Sequence, residues 1–241
     1  MKSSCLEQPK PLIIVGAGGL GAEFVWVAEE MNAAADRNGA ASPPWQVLGY
    51  ADDAPEKKGQ RLGRYVVHGT IEEAAGRFAG QDIGFLVAIG DNATRQGLAR
   101  VAEGVGWLPM TLVHPSVIAA ESARIGTGTY LAPGCVVCPR AQVGNHVIVN
   151  THVSVGHDSL LEDYSQVCPG ARISGGCRVG KRAFLGSNAS LTPGVAVGDG
   201  AVVGANSHAV RKVAPGATVI GCPARTVGRV QQEPRRLRER R

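Results

Sequence analysis

Hydrophobic and polar positions obey two different rules in the two halves of the chain. Up to about Thr111, short apolar runs alternate with stretches of helical spacing. Leu12-Ile13-Ile14-Val15 is closed by Gly16-Ala17-Gly18-Gly19, which predicts a buried strand and a tight turn. Leu20, Phe24, Val27, Ala28 and Met31 then recur on one side of a helix, until Asn38-Gly39 and Pro43-Pro44 break the pattern. Residues 47–50 predict a second strand running into Asp52-Asp53, residues 65–67 a third, and residues 85–89 a fourth that ends at Gly90-Asp91-Asn92. Thr70-Ile71-Glu72-Glu73 has the form of a capping box opening a short helix. Residues 93–105 read as another helix. Strands alternating with helices predict a small parallel sheet covered by helices over residues 1–112.

The second half repeats every six residues. From Ile125 to Val203, fourteen consecutive sixth positions are aliphatic. The positions four further on, from Thr129 to Ser207, are all small or β-branched. Neither a helix nor an alternating strand keeps that double register. A triangular coil does: each hexad forms one flat side, the aliphatic residue points inward and the small residue packs near a corner. Three hexads make a coil of eighteen residues, and stacked coils pair as parallel strands about 4.8 Å apart. Residues 113–228 are therefore predicted to form a parallel β-helix of hexapeptide repeats.

Composition narrows the partners. The chain has 241 residues, 44% of them hydrophobic, and thirty-three glycines, about twice the ordinary share and in keeping with frequent turns. No run of eighteen apolar residues predicts a membrane span, and MKSSCLEQPK lacks the apolar centre of an export signal. A cytoplasmic protein with free thiols is expected from that. The CxxC spacing of Cys135 and Cys138 has no second pair to complete a metal site. The net charge of +5 resides entirely in the seven arginines and two glutamates from Arg225 to Arg241, so the rest is balanced. Residues 229–241 read as a basic tail, and the fold lacks the spread of charge expected of a nucleic-acid binder.

Candidate chemistry falls in both halves. His157 and Asp158 occupy the second and third places after Val155, which face outward from the prism. An outward imidazole can take a proton from an amine or hydroxyl, and an adjacent acid can orient it. An ordinary surface pair fits the same two residues. His146 and His152 also face outward in this register, and His114 precedes Pro115 at the entry to the coil. In the first half, Gly16-Ala17-Gly18-Gly19-Leu20-Gly21 fits G-x-G-x-x-G between a strand and a helix, as in a Rossmann-like pyrophosphate site. The acid that a dinucleotide fold places about twenty residues on is missing, since Asp52 lies thirty-one residues after Gly21. A nucleoside diphosphate sugar suits the loop as well as NAD does. Gly16, Gly18, Gly19 and Gly90 would face its phosphates, Asn92 would hold one, and Asp52 or Asp53 would contact ribose or base.

LIIVGAGGLGAE, GYADD, VAIGDNATR, HPSV, VNTHVSVGHD, the long hexad array and GCPAR together resemble the hexapeptide-repeat sugar O- and N-acetyltransferases over residues 11–228. The family includes sialic acid O-acetyltransferases and bacterial nucleotide-amino-sugar N-acetyltransferases. The resemblance implies a left-handed coil, a homotrimer, a sugar nucleotide held by the N-terminal domain and acetyl-CoA bound between subunits, without a metal. It places the general base at His157 with Asp158 as its following acid. The donor would lie against the later coils, at Gly186, Asn188 and Gly204, with Arg225 or Lys212 near the CoA phosphates. Gln166 stands where relatives commonly carry a donor-binding histidine, and Leu20 where they carry one in the glycine loop. Glutamine keeps the hydrogen bond but cannot titrate. His152, five before His157, resembles part of the zinc set of the γ-class carbonic anhydrases, but the third ligand would fall near Ser116. The expected activity is acetyl-CoA-dependent N-acetylation of a nucleotide-linked amino sugar for glycan assembly. O-acetylation of a sialic-acid-like sugar and non-catalytic sugar-nucleotide binding are the alternatives.

Overall fold

The structure, a computed structural model, describes residues 8–229; Cys5 and the tail beyond Arg229 lie outside the described residues. Strand β1 (Lys10–Val15), helix α1 (Gly19–Arg37) and strand β2 (Trp45–Ala51) form the first parallel unit. A hairpin of β3 (Arg61–Leu62) and β4 (Tyr65–Val66) and helix α2 (Ile71–Arg77) follow. Strand β5 (Gly84–Val87), helix α3 (Asn92–Gly104) and strand β6 (Leu108–Pro109) complete the domain. The sheet runs β2-β1-β5-β6 and its pairs are parallel.

Both faces of this sheet are covered, which is why β1 is apolar throughout rather than alternating. Leu12 and Ile14 pack with Phe24, Val27 and Ala28 of α1. Ile13 and Val15 pack with Ile71 and Ala74 of α2 and Ala99 and Ala102 of α3. The Thr70 capping box forms as the sequence predicts. Residues 65–67 do not supply a third sheet strand. Tyr65 and Val66 fold back antiparallel on Arg61 and Leu62, and Val67 makes only a single parallel bridge to Tyr50. Two residues separate Leu62 from Tyr65, enough for a hairpin but not for the long crossover a parallel strand needs. β6 is an unanticipated edge strand, the place where a proline is tolerated in a sheet.

The coil consists of two-residue strands whose partners lie eighteen residues apart, as in Tyr130↔Ile148, Val136↔Ser154 and Gln142↔Leu160. They stack into three sheets of eight, six and five strands. We call these the first, second and third faces. The aliphatic register from Leu131 to Val203 and the whole small register from Thr129 to Ser207 are buried. The hydroxyls of Thr129, Ser159 and Ser207 in the small register reach the next turn: Ser159 Oγ donates to the Ser174 carbonyl at 2.9 Å and accepts from Cys177 N at 3.1 Å. A third register also emerges. Every sixth residue from Gly128 to Asn206 has a positive φ, and eight of these corner residues are not glycine.

The N-terminal domain sits on the first face. Leu112, Tyr130 and Ile148, the outward residues of that face, join the core of α1, with Phe24 stacked on Tyr130 at 3.9 Å. The corner between the third and first faces lies against α3. There Arg95 is 1% exposed and donates to the carbonyls of Ile89 (2.9 Å), His146 (3.1 Å), Tyr164 (2.6 Å) and Ser165 (3.2 Å). Burial pulls its pKa down to about 10, and four carbonyls in place of a carboxylate satisfy its donors.

Candidate active site

His157 and Asp158 lie on the corner between the second and third faces, away from the N-terminal domain. His157 is exposed, its side chain 65% accessible. Its Nδ1 stands 2.7 Å from Asp158 Oδ2. Asp158 is one of the left-handed corner residues, with φ 60°. Its carboxylate is gripped from the preceding coil by Arg140, through Nε to Oδ1 at 2.6 Å and Nη2 to Oδ2 at 2.8 Å. Arg140 first, then His157, hold the Asp158 carboxyl well below the usual carboxylate range. The other edge of the ring lies over Gly175, the residue one coil further on, where a Cβ would stand 2.5 Å from Nε2. The same corner is bare beyond it: a Cβ on Gly194 would meet nothing within 4 Å, and one on Gly176 would meet only Gly194, at 4.0 Å. Further along, Arg211 and Lys212 share a pocket of about 230 Å³ with Arg225 of the closing hairpin Ala217–Gly221 and Ala224–Arg229.

The second concavity is a cleft of about 690 Å³ at the C-terminal ends of β1, β2 and β5, lined by Gly16, Asp52, Asp53, Lys57, Ile89 and Thr94 among others. The chain leaves β1 toward β2 on one side and returns to β5 on the other, so the cleft falls at the switch point where open α/β sheets bind ligands. Gly16 has φ +107°, and a Cβ there would meet the Ala88 carbonyl at 2.9 Å. A Cβ on Gly21 would fall 2.1 Å from the Gly16 carbonyl, so glycine lets α1 start hard against the strand. Gly18 and Gly19 have nothing within 4 Å of a Cβ, leaving the helix N-terminus open to a ligand. Asp52 accepts from Ala17 N at 2.7 Å, Ala54 N at 3.0 Å and Lys57 Nζ at 2.8 Å. Burial pushes its pKa up, but these hydrogen bonds outweigh it and hold the carboxyl below its usual value. Burial, and then the charges of Glu72 and Asp52, push Asp53 the opposite way.

Several expected site residues stand elsewhere. Asn92, expected to hold a phosphate, is buried and donates to the Arg182 and Ala183 carbonyls at 2.8 and 3.2 Å, tying α3 to the coil. Gly90 is exposed at the loop after β5, where a Cβ would stand 3.9 Å from Gln166 across the seam. Gln166, expected at the donor, is buried on the first face with Oε1 3.4 Å from Arg95, because the N-terminal domain covers that face. Gly186 and Gly204 offer no free amide: their N–H groups donate to Val203 and Val219 carbonyls at 2.8 and 2.9 Å. Asn188 is exposed at the same corner and bonds Asn206 at 3.3 Å. His146 faces outward from the prism but is buried, stacked on Tyr164 at 4.9 Å beneath α3. Among the described residues, five cysteines are free, with Cys135 buried inside the prism and Cys138 half-buried. No helix among them is long and apolar enough to cross a membrane. The sequence reading missed Arg140 and Gly175. Both lie eighteen residues from a corner residue it had singled out, so the coil length was signal enough. Arg95 and Lys57 carry no such signal.

A solenoid with an exposed imidazole at one corner and a nucleotide-type cleft on a parallel sheet describe a class, the hexapeptide-repeat acyltransferases. The comparisons narrow it. The PglD N-terminal domain family matches residues 11–102, and a hexapeptide repeat of succinyl-transferase matches residues 176–208. The GDP-perosamine N-acetyltransferase of Escherichia coli O157:H7 is 31% identical over 154 residues, 60% of this chain and 68% of that protein. PerB from Caulobacter crescentus, solved in complex with CoA and GDP-perosamine, superposes with a TM-score of 0.79 at 31% identity, covering 90% of this chain and 97% of that one. The acetyltransferase domain of PglB from Neisseria gonorrhoeae FA1090, solved with acetyl coenzyme A, gives 0.78 at 30% identity, over 91% and 100%. The chain belongs to the hexapeptide-repeat sugar N-acetyltransferase family of these proteins.

Proposed function

We propose that the protein transfers the acetyl group of acetyl-CoA to the amino group of a nucleotide-linked amino sugar, with His157 as general base, in a step of glycan assembly. The observation that carries this reading is the exposed His157 ring, pinned at Nδ1 by an ionised Asp158, on a chain alignable along almost its whole described length with an enzyme solved with CoA and GDP-perosamine. Nε2 takes a proton from the amine as its nitrogen attacks the thioester carbonyl. The carbon–nitrogen bond forms, the carbon–sulfur bond breaks, and the proton passes to the departing thiolate.

The bare corner beyond His157 supplies a track for the donor. From His157 through Gly175, Gly176 and Gly194 to Arg211 and Lys212 it rises by three coil steps, about 14 Å at the spacing of paired strands. That length suits an extended pantetheine arm with its phosphates among Arg211, Lys212 and Arg225. The sugar nucleotide would occupy the cleft, with Gly16, Gly18 and Gly19 beside its phosphates and Asp52 and Asp53 at its rim. No coil residue lines that cleft, and His157 stands on a corner the N-terminal domain does not cover. A second copy must therefore bring its cleft to His157, which supports a homotrimer with sites between subunits. A donor made in the cytoplasm and free cysteines support a cytoplasmic setting.

Incubation with acetyl-CoA and a panel of UDP-, GDP- and CMP-linked amino sugars, following free thiol, tests the reading. Thiol release with an amino sugar, and none with its hydroxyl counterpart, is expected. Tight nucleotide binding without thiol release from any amino sugar would overturn it in favour of a sensor.

A further inference from the structure

We propose that Arg140 is a positioning residue for the transfer reaction: its grip on Asp158 locks His157 in the one ring orientation and tautomer that leaves Nε2 free as the base. The inference rests on the reading of His157 as that base. Arg140 and Asp158 occupy the same corner place in consecutive coils, both left-handed, each with φ 60°. Stacking of coils sets their side chains side by side. The contact is a two-pronged fork, Nε to Oδ1 at 2.6 Å and Nη2 to Oδ2 at 2.8 Å, which fixes the plane of the carboxylate as well as its charge.

With that plane fixed, Oδ2 presents its remaining lone pair to His157 Nδ1 at 2.7 Å. An ionised carboxylate only accepts hydrogen bonds. Nδ1 must therefore carry the hydrogen, and the lone pair sits on Nε2. Turning the ring over would exchange Nδ1 for a carbon and forfeit the bond. Gly175 closes the opposite side, since the ring lies against its Cα. Asp158 and Arg140 are the charged groups that meet the ring, one directly and one through the other. An arginine in the left-handed region is strained, whereas Gly176 and Gly194 hold the equivalent corner in later coils. A fork to the base's own acid explains why a side chain stands there.

The test compares Arg140→Ala, Arg140→Lys and His157→Ala in steady-state thiol release, with nitrogen-15 NMR of the His157 ring. The Arg140 and His157 side chains are exposed, so circular dichroism and melting are expected to stay unchanged. For Arg140→Ala, kcat should fall about tenfold while KM for donor and acceptor stays within about twofold, the pattern of an interaction made only in the transition state. The ring signal should change from a single Nδ1–H tautomer to a mixture. Lysine restores the charge but not the fork, so Arg140→Lys should recover part of kcat. Unchanged kcat and tautomer in Arg140→Ala would overturn the proposal, as would a loss confined to the KM for acetyl-CoA, which would make Arg140 a donor contact. Full activity in His157→Ala would instead remove the base assignment on which it rests.

Discussion

The coil corner and the sheet cleft build their sites by opposite means. On the coil, position in the sequence is position in space: Arg140, Asp158 and Gly176 are eighteen residues apart and stack in one column. In the cleft, Gly16, Asp52 and Ile89 come from three strand ends, and their meeting depends on sheet order and on the loops. The corner therefore presents a rigid, regular, exposed group, and the cleft an adaptable concavity with a few fixed polar atoms. On the proposed reading chemistry falls to the corner and recognition to the cleft, and that division can be broken kinetically.

His157→Ala makes the largest break. Loss of a general base should lower kcat by about 100- to 10,000-fold, with KM for the sugar nucleotide little changed. Isothermal titration of the nucleotide against the variant should match the wild type, because the cleft contains no residue of that corner. A kcat within twofold of wild type would return His157 and Asp158 to an ordinary surface pair.

Gly175→Val sharpens the same point without touching the base. Its Cβ would stand 2.5 Å from His157 Nε2, so the ring must move. A displacement near 1 Å at the reacting atom should lower kcat by about 10- to 100-fold while the melting temperature holds. In the cleft, Gly16→Ala should act in the reverse order. Its φ of +107° and the 2.9 Å approach to the Ala88 carbonyl make any side chain strained. We expect a loss of about 1–3 kcal/mol in urea unfolding and a raised KM for the sugar nucleotide, with kcat nearly intact.

The same contrast explains what the sequence disclosed. Fourteen repeats of one hexad fix fold, register and the outward facing of His157, because one period governs every coil. The strand at Leu12–Val15 and its glycine loop were legible as well, since burial on two sides and close helix approach leave a local mark. The burial of Asn92 and Gln166 had no mark in the sequence, for a common reason. Each sits beside a loop or register that looks functional, but the docking of the two halves buries it, and that docking is a tertiary event. At Gly186 and Gly204 the sequence leaves two uses open, because glycine at a coil corner serves close packing of the next turn as readily as ligand approach. The burial of Arg95 had no local mark, because a cation satisfied by carbonyls from a distant segment leaves no partner in the sequence.

The smallest expected effect concerns Asp52, and its sign separates recognition from scaffolding within the cleft. Its carboxylate holds the glycine loop through Ala17 N and anchors Lys57. Because its folded pKa lies below the unfolded value, it binds fewer protons in the folded state near that range. Its contribution to stability is therefore present above the unfolded value, near pH 4, and is lost as pH falls through the depressed folded value. Asp52→Asn removes the charge but keeps one acceptor oxygen and the size. The variant should melt a few degrees lower than wild type at pH 7, a gap that closes as pH falls toward 3. Nucleotide affinity at pH 7 should drop only severalfold, since the loop amides that face the ligand belong to the backbone. A gap in melting temperature that persists unchanged to pH 3 would show that Asp52 acts through shape rather than charge. Affinity lost by orders of magnitude with no change in melting would make it a direct contact to the sugar nucleotide, and the division between a binding cleft and a reacting corner would then begin at that carboxylate.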